Sequence, residues 1–100
     1  MLIEHALLSV KPDQQQKFER AFTEAQEVVA KAAGFQFVDL LRETKATGGY
    51  LLILAWATDE QAVAEFRGSD LYGQWKNLLD PFWVQAPESA YFEVLSHYTG

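Results

Sequence analysis

The chain has no cysteine, only two histidines, three prolines and an excess of acid over base. Without cysteine, disulfides, thiolate nucleophiles and cysteine metal sites are all excluded. His5 and His97 stand far apart among scattered carboxylates, which gives no recognised metal-ligand spacing. Eight Lys and Arg against fourteen Asp and Glu leave a net charge of −6, and no basic cluster overrides it, so nucleic acid is not an expected partner. No apolar run approaches the roughly 20 residues of a membrane-spanning helix. Glu4 and His5 interrupt the apolar N-terminal run, and neither a basic leader nor a small-residue cleavage site is present, so no signal peptide is expected and the protein reads as cytoplasmic. Glycine-rich phosphate loops between strand and helix and Gly-x-Ser-x-Gly elbows are likewise missing.

What is abundant is apolar and aromatic surface: 49% of the 100 residues are hydrophobic and 14% aromatic. A chain of this length supports one domain, residues 1–100, with one small core. That much apolar area on a small core predicts a homodimer.

The stretch 50–75, YLLILAWATDEQAVAEFRGSDLYGQW, organises the rest. Residues 50–57 carry no charge and predict a buried central strand. Thr58 offers an N-cap with Gln61 three residues on, and Ala62, Val63 and Phe66 follow at helical spacing. Gly68 stops that helix. Ser69 can cap a second one, on which Leu71, Tyr72, Trp75, Leu78 and Leu79 repeat every three or four residues. The result is a broken helix with an aromatic inner face.

Before it, residues 2–10 alternate, with Ile3, His5, Leu7 and Ser9 on one side and Leu2, Glu4, Ala6, Leu8 and Val10 on the other. Pro12 and Asp13, with Gln16 three residues on, predict a helix start; Phe18, Ala21, Phe22, Ala25, Val28, Val29 and Ala32 form its apolar stripe, and Gly34 its left-handed end. Residues 35–44 predict a second strand and residues 45–49 a hairpin loop. After Pro81 comes a connector to Pro87, and residues 90–96 alternate as a last strand. The order βαββαβ is that of a ferredoxin-like α+β fold, a four-stranded antiparallel sheet with the helices on one face. Strands apolar on both sides predict that the other face meets a second copy.

Gly34-Phe35, Ala55-Trp56, the run Ala62, Phe66, Ser69, Tyr72, Trp75, and the terminal Tyr91-Phe92-Glu93-Val94 together resemble the antibiotic biosynthesis monooxygenase domain, a dimeric α+β barrel family. The resemblance covers nearly the whole chain. It implies a homodimer with an apolar pocket between sheet and helices in each protomer, and a monooxygenase of aromatic polyketides or quinols working without metal or flavin, hence no cofactor. A non-catalytic small-molecule-binding or stress-response dimer of the same fold is the alternative. Haem degradation, a third branch, uses an Asn, a Trp and a His ligand that align with His5, Phe66 and Lys76, so none of the three matches.

Within that frame His5 is the candidate base, because an imidazole can take a proton from a phenol or activated carbon acid. Phe66, Tyr72 and Trp75 are the candidate substrate-binding residues, able to stack on a flat ring system. Core packing explains the same spacing of Phe66, and Trp56 reads as core. Phe82 and Trp83 lack a partner in the pattern and are assigned to the dimer interface or the pocket mouth. Asp39, Arg42 and Glu93 read as sheet-edge or interface charges, and His97 as an exposed residue.

Overall fold

Alternating apolar residues on four strands and one apolar stripe on each helix leave a single economical arrangement, a sheet roofed on one side. The computed structural model describes residues 1–57 and 60–100. Strands β1 (Leu2–Ser9), β2 (Phe35–Arg42), β3 (Gly49–Trp56) and β4 (Ser89–Glu93) form one antiparallel sheet in the order β2-β3-β1-β4. Helices α1 (Gln15–Val29), α2 (Glu60–Arg67) and α3 (Asp70–Leu79) connect them. This is the ferredoxin-like α+β arrangement expected from the element order.

The uncharged run lies at the centre of the sheet. β3 pairs with β1 from Leu2↔Trp56 to Ser9↔Gly49 and with β2 from Phe37↔Ala55 to Arg42↔Tyr50. On its helix-facing side Tyr50, Leu52, Leu54 and Trp56 are buried with Ala6 and Leu8 of β1 and Val10 just past its end. Phe18, Phe22, Ala25 and Val29 of α1, Phe66 of α2, and Trp75 and Leu79 of α3 close over them. Each such side chain removed from water contributes about 1.5–3 kcal/mol before chain entropy is set against it. The aromatic rings form a connected series: Phe18 meets Tyr50 at 4.9 Å, Phe22 meets Trp75 at 5.9 Å, and Phe66 meets Trp56 and Tyr72, each at 5.5 Å.

The helix termini depart from the expected caps. A 3-10 turn, Pro12–Gln14, precedes α1, whose N-cap residue is Gln14, so Asp13 does not cap it. The cap expected at Thr58 lies outside the described residues. Ser69 occupies the N-cap position of α3 in extended conformation, but its hydroxyl donates to the Phe66 carbonyl at 2.6 Å, tying the break to the preceding helix. Gly34 has φ of +82°, in the turn after α1 rather than at its last residue. Gly48, at φ +88°, presses so closely on the chain just past β1 that a Cβ would collide with the Val10 carbonyl oxygen.

Phe82 and Trp83 find partners within their own chain. A second 3-10 turn, Asp80–Phe82, follows α3, and both rings meet Phe18, at 5.8 and 5.6 Å. Trp83 bridges to Val10 across the sheet edge, and its indole N–H donates to Asp80 at 3.0 Å.

Candidate functional site

β1 is where the two faces of the sheet part company. Glu4, Ala6, Leu8 and Val10 face the helices and are buried, while Ile3, His5, Leu7 and Ser9 face the other way. A cavity of about 540 Å³ lies on the helix side. Its floor is Ala6 and Leu8 of β1 with Leu52 and Leu54 of β3; its roof is Phe66, Tyr72, Trp75 and Leu79; its rim is Arg67, Lys76, Asp80, Trp83 and residues 86–89. The size suits a small organic molecule, and the aromatic roof suits a flat one.

The structure thus brings Phe66, Tyr72 and Trp75 to one cavity. His5 is not with them. It sits half-buried on the opposite face, edge-on to Phe92 at 5.5 Å, beside a shallower hollow that it lines with Leu7, residues 85–88 and Ala90. The sheet separates His5 from anything held under Tyr72 and Trp75. The alternation paired His5 correctly with Ile3 and Leu7, but that side of the strand is the one without helices.

The residue that the sequence reading left without a role is Glu4, a carboxylate only 6% exposed at the cavity wall. Its Oε2 accepts hydrogen bonds from Arg67 Nη2 at 2.9 Å and Ser89 Oγ at 2.8 Å, and its Oε1 from Trp56 Nε1 at 3.2 Å. Three elements meet on it: the end of α2, the end of β3 and the start of β4. The signal was present in the alternation, which set one acid on the same side as Ala6, Leu8 and Val10. Burial is the largest influence on Arg67 and works to lower its pKa, yet the hydrogen bond and charge of Glu4 outweigh it and the net shift is upward. Tyr91, opposite Glu4 in the register, is pushed up first by burial and then by the Glu4 charge, so its phenol stays protonated. Two cations approach the Tyr72 ring, the Arg67 and Lys76 head groups each standing 5.7 Å from its centre.

Among the described residues no group of three His, Asp or Glu is placed to hold a metal ion, and no helix is long and apolar enough to cross a membrane. Trp56, wholly buried, is core, and its N–H anchors Glu4. Arg42 stands on the edge strand β2, as expected, and grips Glu19 of α1 through two nitrogens at 2.7–3.1 Å, with Tyr50 donating to the same carboxylate at 2.6 Å.

The sequence model of the antibiotic biosynthesis monooxygenase family matches residues 1–78. The chain belongs to that family. An uncharacterized protein of Bacillus subtilis (strain 168), YczJ, is 34% identical over 93 residues, which is 93% of this chain and 98% of the relative. Among solved structures, an antibiotic biosynthesis monooxygenase family protein of Bordetella bronchiseptica superposes with a TM-score of 0.88 at 24% identity, over 95% of this chain and 97% of the other. A variant of SnoaB, a cofactor-independent oxygenase of Streptomyces nogalater, superposes with a TM-score of 0.80 at 20% identity, over 96% and 94%. At these identities the two structural likenesses speak for the monooxygenase-family fold alone.

Proposed function

We propose that this family member holds a flat aromatic or quinol-type molecule in the helix-side cavity and oxygenates it as a monooxygenase that needs no cofactor. The observation that carries the reading is the cavity itself, of about 540 Å³, with Phe66, Tyr72 and Trp75 over an aliphatic floor. Family membership supports the reaction type. The chemistry would need an electron-rich ring made anionic by loss of a proton, room for oxygen beside it, and exclusion of water. The proton passes to a water molecule at the cavity rim, the ring anion gives an electron to dioxygen, and the two radicals recombine at carbon as a peroxide that takes the proton back. Loss of water then leaves a carbonyl, so that a ring CH2 and O2 become C=O and H2O. Both oxygen atoms and all four electrons are accounted for by the substrate and dioxygen.

We also propose that a second copy covers the open face of the sheet. Leu7 is 79% exposed there, with Phe37, Leu41 and Phe92 between 41% and 51%. The assembly is a homodimer with one helix-side cavity in each protomer.

Oxygen uptake with a panel of polyphenols and anthrones tests the first proposal. Uptake with at least one of them, lost in Trp75→Ala and kept in His5→Ala, is the expected result. Binding without uptake across the panel would leave a non-catalytic binding protein of the same fold. Loss of uptake in His5→Ala with the fold intact would move the site to the other face of the sheet.

A further inference from the structure

Glu4 is the buried group at this cavity that the oxygenation chemistry leaves without a task. A carboxylate set among Ala6, Leu8 and Leu54 is costly unless donors surround it, and a leucine there would complete the floor without that cost. The donors from Arg67, Ser89 and Trp56 hold the carboxylate in one orientation before any ligand arrives. A carboxylate oxygen offers two acceptor directions, and among the described residues Oε1 accepts one bond, from Trp56 at 3.2 Å. The cations at the cavity already face acids: Arg67 bonds Glu4 at 2.9 Å, and Lys76 Nζ stands 3.7 Å from Asp80. A ligand carboxylate would meet Glu4 at the wall and Asp80 and Glu88 at the rim. A ligand hydroxyl would find a fixed acceptor.

We infer that Glu4 is the hydroxyl acceptor of this cavity, taking a hydrogen bond from a phenolic or enolic O–H of a flat, uncharged ring system lying under Phe66, Tyr72 and Trp75. The inference rests on the cavity being the binding site and adds the functional group and charge that the ligand must carry.

Calorimetric titration of the full chain at pH 7 with 2-naphthol, 2-methoxynaphthalene and 2-naphthoate tests it. The naphthol is expected to bind about tenfold or more tightly than its methyl ether, as a hydrogen bond to a charged acceptor requires, with the naphthoate weakest. In Glu4→Leu, checked for folding by near-ultraviolet circular dichroism, naphthol and ether should bind alike. Equal binding of naphthol and ether to the wild type would overturn the hydroxyl-acceptor role and leave the cavity reading standing, and that comparison needs no variant. Tightest binding of the naphthoate would also overturn it and pass the role to Arg67. Failure of all three to bind would remove the cavity reading together with the inference. A naphthol preference that survives in a folded Glu4→Leu protein would contradict the assignment to Glu4.

Discussion

At the scale of single residues, one position of offset separates Glu4 from His5 and puts them on opposite sides of the sheet. The sequence makes the grouping legible: Glu4 goes with Ala6 and Leu8, His5 with Ile3 and Leu7. It does not say which group meets the helices, because both sides of β1 are largely apolar and only tertiary packing breaks the tie. The aromatic run was more legible, since helical spacing and one sheet face leave Phe66, Tyr72 and Trp75 a single direction to point. Removing Glu4 should expose its structural share as well. Glu4→Ala leaves the indole N–H of the wholly buried Trp56 without its acceptor, at a cost of about 1–3 kcal/mol by chemical denaturation. Between α1 and the strands, the Glu19 carboxyl lies below its ordinary 4.5, held there first by the Arg42 hydrogen bond and then by the Tyr50 hydroxyl. A depressed carboxylate stabilises the fold in full above its unfolded value and loses that contribution as pH falls through the folded one. The stability difference between wild type and Glu19→Gln should therefore be constant from pH 7 to about 5 and shrink below about 4.5. Tyr50→Phe, which removes one hydrogen bond to a partly exposed carboxylate, should cost about 1 kcal/mol at pH 7.

At the scale of elements, the strands and helices follow from periodicity, and the departures occur where local signals compete with packing. Strand β4 stops at Glu93 rather than running on to Ser96, because Leu2 of β1, its partner at that point, begins the neighbouring strand. The alternation continues in the sequence, but the pairing with β1 ends at Leu2↔Glu93. Asp13 has a capping residue's chemistry, yet Pro12 draws the chain into a 3-10 turn and the helix proper starts two residues later. Phe82 and Trp83 looked unattached in a one-dimensional pattern because the element they pack on, α1 at Phe18, is far away in sequence. Two glycines give opposite predictions. Gly73 sits inside α3 with no atom within 4 Å of a Cβ, so Gly73→Ala should stabilise by about 0.5–1 kcal/mol through helix propensity. Gly48→Ala combines a positive φ with a collision against the Val10 carbonyl, and should destabilise by more than that gain and loosen the β2–β3 hairpin against β1. Thermal melts of the two variants read both signs.

As a whole molecule, the chain is a slab 38 × 37 × 20 Å, the thickness of one helix layer on one sheet. Its accessible surface, 6651 Å², is about 900 Å² more than the roughly 5,700 Å² usual for a folded monomer of this mass. That excess is close to the roughly 800 Å² per partner of a standard interface, and the open face that carries Leu7, Phe37, Leu41 and Phe92 supplies apolar area for it. Sedimentation equilibrium at micromolar concentration should show a dimer, and Leu7→Lys should shift it to monomer, since Leu7 makes little use of its own chain. The family and fold were legible in the sequence because diffuse aromatic and glycine positions specify a packing arrangement. The site was legible only in part, because the carboxylate at its wall looks in one dimension like any acid in a strand. Binding between the sheet and the broken helix is best read from a crystal structure of the protein with 2-naphthol bound. The ring is expected under Phe66, Tyr72 and Trp75 with its hydroxyl within about 3 Å of a Glu4 oxygen; a ring seated on the far side of the sheet beside His5, with the helix-side cavity empty, would move the site to the other face.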